Sequence, residues 1–80
     1  MKKLLEYLNN KSPEERDIFA KACGTSDGYL RKAVYKNQVI GAELCVAIEK
    51  VSRGAVTRFD LRPFDWHMVW PELEKKRVKN

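Results

Sequence analysis

Histidine, cysteine and long apolar runs are what this chain has least of, and each shortage closes off a class of chemistry. Its 80 residues hold one histidine, His67, and two cysteines, Cys23 and Cys45. A tetrahedral zinc site needs four ligands at suitable spacing, and no C-x-x-C pair is present to begin one. Both cysteines fall within apolar helical stripes and read as small buried thiols; a disulfide would be out of place in a reducing cytosol. No apolar run approaches the ~20 residues of a membrane-crossing helix. The opening MKKLLEYLNN starts basic and apolar like a signal peptide, but Glu6 interrupts it and no small-residue cleavage site follows. It is expected to be a helix of the mature fold of a cytoplasmic protein. Catalytic groupings are missing too: no nucleophile beside a base, no glycine-rich phosphate loop, no carboxylate cluster in a cleft. Glu14, Glu15 and Asp17 are grouped, but at a helix N-terminus, where the dipole favours them. His67, beside Trp66, reads as a surface or interface residue. The expectation is a non-enzyme with no catalytic residue, no metal and no cofactor.

What the chain does have is 44% apolar residues, enough for one compact core in one small domain. Its net charge of +5 is unevenly spread: residues 1–20 and 41–60 each sum to zero, 21–40 carry +3 and 61–80 carry +2. A basic patch on one element is the footprint of polyanion binding, or simply a solvated face.

Every well-patterned segment has helical period. Leu4, Leu5 and Leu8 place a stripe on a first helix of about residues 2–9. Ser12-Pro13-Glu14-Glu15 is a helix start with cap, N1 proline and capping-box glutamate; the second helix runs to Ala22 or Cys23 and is expected to bury Ile18, Phe19 and Ala22. Thr25 or Ser26 caps a third helix ending near Lys36. A fourth spans about residues 42–52 with Leu44, Ile48 and Val51 on one side, stopped at Arg53-Gly54. Thr57 can cap a short fifth helix that Pro63 stops. Beyond it, Trp66, Met68 and Trp70 alternate as in a strand, whereas Trp66, Val69, Trp70 and Leu73 fit a helix equally well. Glu74 to Asn80 is a charged tail, expected to lack order without a partner.

The segment from Arg16 to Tyr35, RDIFAKACGTSDGYLRKAVY, has the spacing of a helix-turn-helix at about residues 13–36. Ala20 is small enough for close helix approach, and Gly24 four positions later supplies a left-handed turn. Leu30, Ala33 and Val34 would pin the second helix to the core. Ser26, Asp27, Gly28, Arg31, Lys32 and Tyr35 are then left on its outer face.

Taken with MKKLLEYLNN-x-SPEER, CGTSDGYLRKA, GAELCVAIE and a closing LRP, this layout resembles the Cro and CI type of phage and prophage regulator, most of all the YdaS-type antitoxin or Cro-like group. The resemblance covers roughly residues 1–65. It implies an all-α, lambda-repressor-like bundle of about five helices that binds double-stranded operator DNA, usually as a dimer, and represses transcription. Residues 1–65 would form the DNA-binding domain, and 66–80 an aromatic, then charged, C-terminal extension. Thr25 departs from the pattern, since its turn position is commonly apolar in the wider family.

In such proteins the second motif helix enters the major groove. That assigns base contacts to Ser26, Asp27, Gly28, Arg31, Lys32 and Tyr35, with Arg31 suited to guanine O6 and N7. Asp27 either accepts from a cytosine amino group or merely favours the positive end of the helix. Phosphate contacts fall to Arg16, Lys21, Lys36, Asn37, Gln38, and the amide groups of Gly41 and Ala42. Phe64, Trp66, Val69 and Trp70 form a candidate dimer interface. Phe59, Leu61 and Phe64 are expected to close the core, and Trp66 and Trp70 to pair with a copy. The alternative is an antitoxin-like or adaptor protein that grips a protein partner through its C-terminal region. RNA binding is a weaker third, because the contact helix offers only Tyr29 and Tyr35 for stacking.

Overall fold

A serine or threonine opens three of the helices, and its side-chain oxygen takes up an amide that the first turn would leave unpaired. The computed structural model describes residues 1–73. Along them run α1 (Lys2–Asn9), α2 (Pro13–Ala22), α3 (Asp27–Tyr35), α4 (Ala42–Val51), α5 (Arg58–Leu61) and α6 (Trp66–Val69). A further helical turn occupies residues 71–73. No strand occurs among the described residues, so the fold is all-α, and the aromatic segment takes the helical alternative at Trp66–Val69. None of these helices is long and apolar enough to cross a membrane. The charged tail from Glu74 to Asn80 lies outside the described residues.

Ser12 Oγ accepts from the Glu15 amide at 3.2 Å while the Ser12 amide donates to Glu15 Oε1 at 2.8 Å, a closed capping box with Pro13 at the first helical position. Ser26, not Thr25, caps α3, and Thr57 with Asp60 closes a second box on α5. At the other ends the chain turns left-handed. Gly24 has φ 84°, and the Thr25 amide reaches back to the Ala20 carbonyl at 2.9 Å. Asn37 does the same for α3 at φ 52°, with Gln38 bonding back to Ala33 at 2.8 Å. At the end of α4 the stop at Arg53-Gly54 uses both residues in left-handed backbone, Arg53 at φ 56° and Gly54 at φ 84°, with the Gly54 amide reaching back to the Glu49 carbonyl at 2.9 Å.

The core gathers Leu4 and Leu8 from α1, Phe19 and Ala20 from α2, Leu30 and Ala33 from α3, Ile40, Cys45 and Ile48 around α4, then Val56 and Leu61. On α2 the expected face is corrected. Phe19, Ala20 and Cys23 are buried, whereas Ile18 is 69% exposed and Ala22 lies outside. Phe19 meets the edge of Tyr7 at 5.0 Å and Ala20 is fully enclosed, and at 100° per residue that orientation turns Ile18 and Ala22 away. On α4 the most enclosed residues are Cys45 and Ile48, with Leu44 and Val51 half-buried beside them. Both cysteines are free and buried. Burial pushes the Cys45 thiol up to about 11, and its Sγ lies 3.5 Å from the Ile40 carbonyl it donates to.

The C-terminal segment reverses two expectations. Phe64, expected in the core, is 91% exposed; Trp70, expected to pair with a copy, is 7% exposed inside the same core as Leu73. Trp66 is half-buried, with its ring edge-on to Phe59 at 4.7 Å, and Val69 packs partly against the core. A boundary at residue 65 therefore does not coincide with a break in packing. Polar fasteners explain why the chain turns back. Arg58 Nε pairs with Glu49 Oε1 at 3.0 Å while its guanidinium lies 5.4 Å from the Trp70 ring centre. Arg62 donates to the Ile40 carbonyl at 2.9 Å and to Asp65 Oδ2 at 2.7 Å.

Two predictions follow from this packing. Trp70→Ala should lower unfolding free energy by about 3–5 kcal/mol, and Phe64→Ser should move it by less than about 0.5 kcal/mol, both read from urea titration. The second concerns acid. Burial pushes the Glu49 carboxyl up, but hydrogen bonds from the Arg58 side chain and amide outweigh it and hold the group below its ordinary 4.5. Hydrogen bonding from Arg62 lowers Asp65 in the same sense. A carboxyl lowered by folding adds stability above its unfolded value and loses it as pH falls through its folded value. The melting temperature should therefore drop below about pH 4.5, and Glu49→Gln should flatten that drop while lowering stability at neutral pH.

Candidate nucleic-acid interface

Leu30 and Ala33, both fully enclosed, decide which way α3 faces. With 100° between successive residues, Gly28, Arg31, Lys32 and Tyr35 are left outward, and all four are exposed, Tyr35 at 91%. Ser26 is exposed as well, although its Oγ is already engaged by the Tyr29 amide at 3.1 Å. Among the described residues no carboxylate forms an ion pair with Arg31, Lys32 or Lys36. Gly28 has ordinary helical backbone, and a Cβ added there would meet nothing within 4 Å. Nothing inside the fold calls for glycine at that position.

Arg16 and Asp27 behave differently from their neighbours. Arg16 Nε lies 3.4 Å from Asp27 Oδ2, and Arg16 Nη1 donates to the Lys11 carbonyl at 3.1 Å. Only 19% and 21% of the two side chains is exposed, so the pair ties the first turn of α2 to the first turn of α3. Asp27 Oδ1 is buried without a hydrogen-bond partner. Asp27 thus turns toward Arg16 and not outward with Arg31, and Arg16 is held by its own chain and not projected as a loose cation. Eleven residues separate the two, beyond the three- and four-residue spacings of a helix surface, which is why the sequence pattern gave no sign of the pair.

The remaining expected contacts are scattered around α3. Lys36, Asn37 and Gln38 are exposed at its C-terminal end, with Gln38 Nε2 within 3.5 Å of the Tyr29 hydroxyl. Gly41 and Ala42 open α4, whose first turn has no side-chain cap, so its amides are not taken up by a side chain of the N-cap residue. Lys21 lies on α2, exposed and paired with Asp17 at 3.1 Å. Of the candidate dimer residues, Phe64 alone is fully outward. Sequence reasoning missed Leu5 and Asn9, which line an open groove with Gly28, Arg31, Lys32 and Tyr35. It also missed Val39, 71% exposed between α3 and α4. Leu5, counted with Leu4 and Leu8 in the α1 stripe, is 44% exposed while those two are buried, because residues one apart on a helix point 100° away from each other.

The arrangement presents an unpaired cationic helix face with a glycine near its start, beside a loop carrying a further lysine and two amides. Such a surface can accept phosphate oxygens and offer a guanidinium to a base edge. Comparison with curated proteins and with solved structures gave no match. Residues 16–69, which run from within α2 to the end of α6, match the profile of a family described as bacterial toxin YdaS. The match spans most of the chain, and the chain belongs to the YdaS family.

Proposed function

We propose that the chain is a sequence-specific, double-stranded DNA-binding regulator of the Cro-like kind, with α2, the turn at Gly24 and α3 acting as a helix-turn-helix. In this reading α3 enters the major groove, and a homodimer meets a palindromic operator. The observation that carries it is the contrast among arginines. Arg16, Arg58 and Arg62 are each committed to a carboxylate of the chain, while among the described residues Arg31 and Arg53 form no ion pair, and of these two Arg31 stands on α3 directly beside a second exposed cation, Lys32. Gly28 adds support. It weakens a helix by up to about 1 kcal/mol relative to alanine with no internal steric reason, which suits close approach of another molecule's backbone.

Arg31, Lys32 and Tyr35 are the base-reading residues of this proposal, with Ser26 and Gly28 at the edge of the contact. Lys36, Asn37 and the α4 amides at Gly41 and Ala42 take phosphates, with Lys21 further out. The role of Asp27 becomes positional: it fixes α3 against Arg16 and carries no base contact. The proposal is non-enzymatic and needs no metal or cofactor. It is compatible with the family's description as a toxin, because a chain that occupies operator sites also disturbs transcription when overproduced. A second reading, capture of a protein partner through the C-terminal region, is favoured by the exposure of Phe64 and Met68.

Selection of bound sites from a random duplex pool tests the proposal directly, through sequence preference, half-site symmetry and spacing. Arg31→Ala should relax preference at one position by about 1–3 kcal/mol, whereas Lys36→Ala should weaken all sequences alike and reduce the salt slope by about 1. Equal losses on selected and random duplexes for both variants would refute that division. Growth inhibition on overproduction should disappear with Arg31→Ala and persist with Phe64→Ser; the opposite pattern favours the protein-partner reading.

A further inference from the structure

The groove between α1 and α3 has a feature that DNA does not require. Its apolar lining comes from buried Leu8, half-buried Val34, Leu5 at 44% exposure and the exposed Tyr35, with Asn9 and Arg16 among its polar lining. Arg31 and Lys32, both exposed, line it too and supply a cationic edge. A duplex brings phosphates to such an edge, but its largest apolar projection is a thymine methyl group. A helix carrying a leucine or phenylalanine anchor between carboxylates satisfies both the apolar lining and the cationic edge, as in recognition of an amphipathic helix by a groove.

We propose that this groove is the docking site for an acidic amphipathic helix of a partner protein, and that its occupancy excludes DNA from α3. The exclusion rests on the DNA reading above, whereas the docking itself does not. Charge selects this occupant over the two nearest competitors. Residues 74–80 of the chain, Glu-Lys-Lys-Arg-Val-Lys-Asn, bring four cations and one carboxylate and are repelled by Arg31 and Lys32. A second copy carries the same net charge of +5, and two of the three carboxylates grouped on its α2 are already engaged, Glu15 by the Ser12 amide and Asp17 by Lys21. A regulator reached through its reading helix is switched off by competition, with no need for a second conformation.

The test uses the full chain and a labelled synthetic helical peptide with glutamates on both flanks and leucines at i and i+4. A control peptide has the leucines replaced by serine. The leucine peptide should bind about tenfold or more tightly than the control, lose affinity as salt screens its glutamates from Arg31 and Lys32, and displace a selected duplex. Leu5→Ser should lose about tenfold in peptide affinity and stay within about twofold of the parent on DNA. A photo-crosslinker at the peptide's leucine position should mark Leu5, Val34 or Tyr35, a readout that does not depend on any variant folding. Equal binding by the serine control, or crosslinks elsewhere, overturns the docking site. Binding at the groove without displacement overturns the exclusion. A chain that binds the peptide there but no duplex at low salt upholds the docking and fails the DNA reading, so the two are separable.

Discussion

The contact of Leu30 and Ala33 with the core is the constraint on which the rest of this molecule depends. It fixes the rotation of α3, and with it the side from which Arg31, Lys32 and Tyr35 project. Rotation by one residue would carry a cation into the apolar interior, where an unpaired charge is far too costly to hold. Everything around α3 reinforces the same setting. Ser26 starts it, Asn37 ends it, and Arg16 grips its first residue from α2.

Three arginines are used differently from the cations of α3. Arg16, Arg58 and Arg62 are fasteners, each bonded to a carboxylate and two of them also to a backbone carbonyl. They join parts of the chain that are distant in sequence: α2 to α3, α4 to α5, and the segment before α4 to the one after α5. The cations of α3 and its following loop join nothing in this way. A chain of this size has a limited apolar interior, so spending arginines on internal ties while leaving α3's cations uncommitted separates folding from surface chemistry.

Much of the architecture was legible in the sequence because capping and turn chemistry are local. Ser12-Pro13, Ser26, Thr57 and Gly24 each act on residues within four positions, so helix limits emerged without tertiary knowledge. Facing directions were harder. On α2, Ile18, Phe19, Ala20, Ala22 and Cys23 cover most of the circumference with apolar groups, and periodicity alone could not choose among them. The segment after Pro63 is too short and too aromatic to show a period, so the exchange of roles between Phe64 and Trp70 became visible only once Arg58 was seen beside the Trp70 ring. For the candidate site, the outward position of Arg31 and Lys32 follows from the Leu30–Ala33 repeat. The engagement of Asp27 by Arg16 does not, because it crosses a turn between two helices.

The enclosure of Cys23 and Cys45 has a consequence for how the chain can associate. Both thiols are raised by burial, Cys45 to about 11, so almost no thiolate forms near neutrality. Burial of both side chains also keeps oxidants and other copies from reaching them while the chain is folded. Neither thiol is thus placed to link one folded copy to another by a disulfide, which leaves non-covalent contact as the route by which such a chain associates.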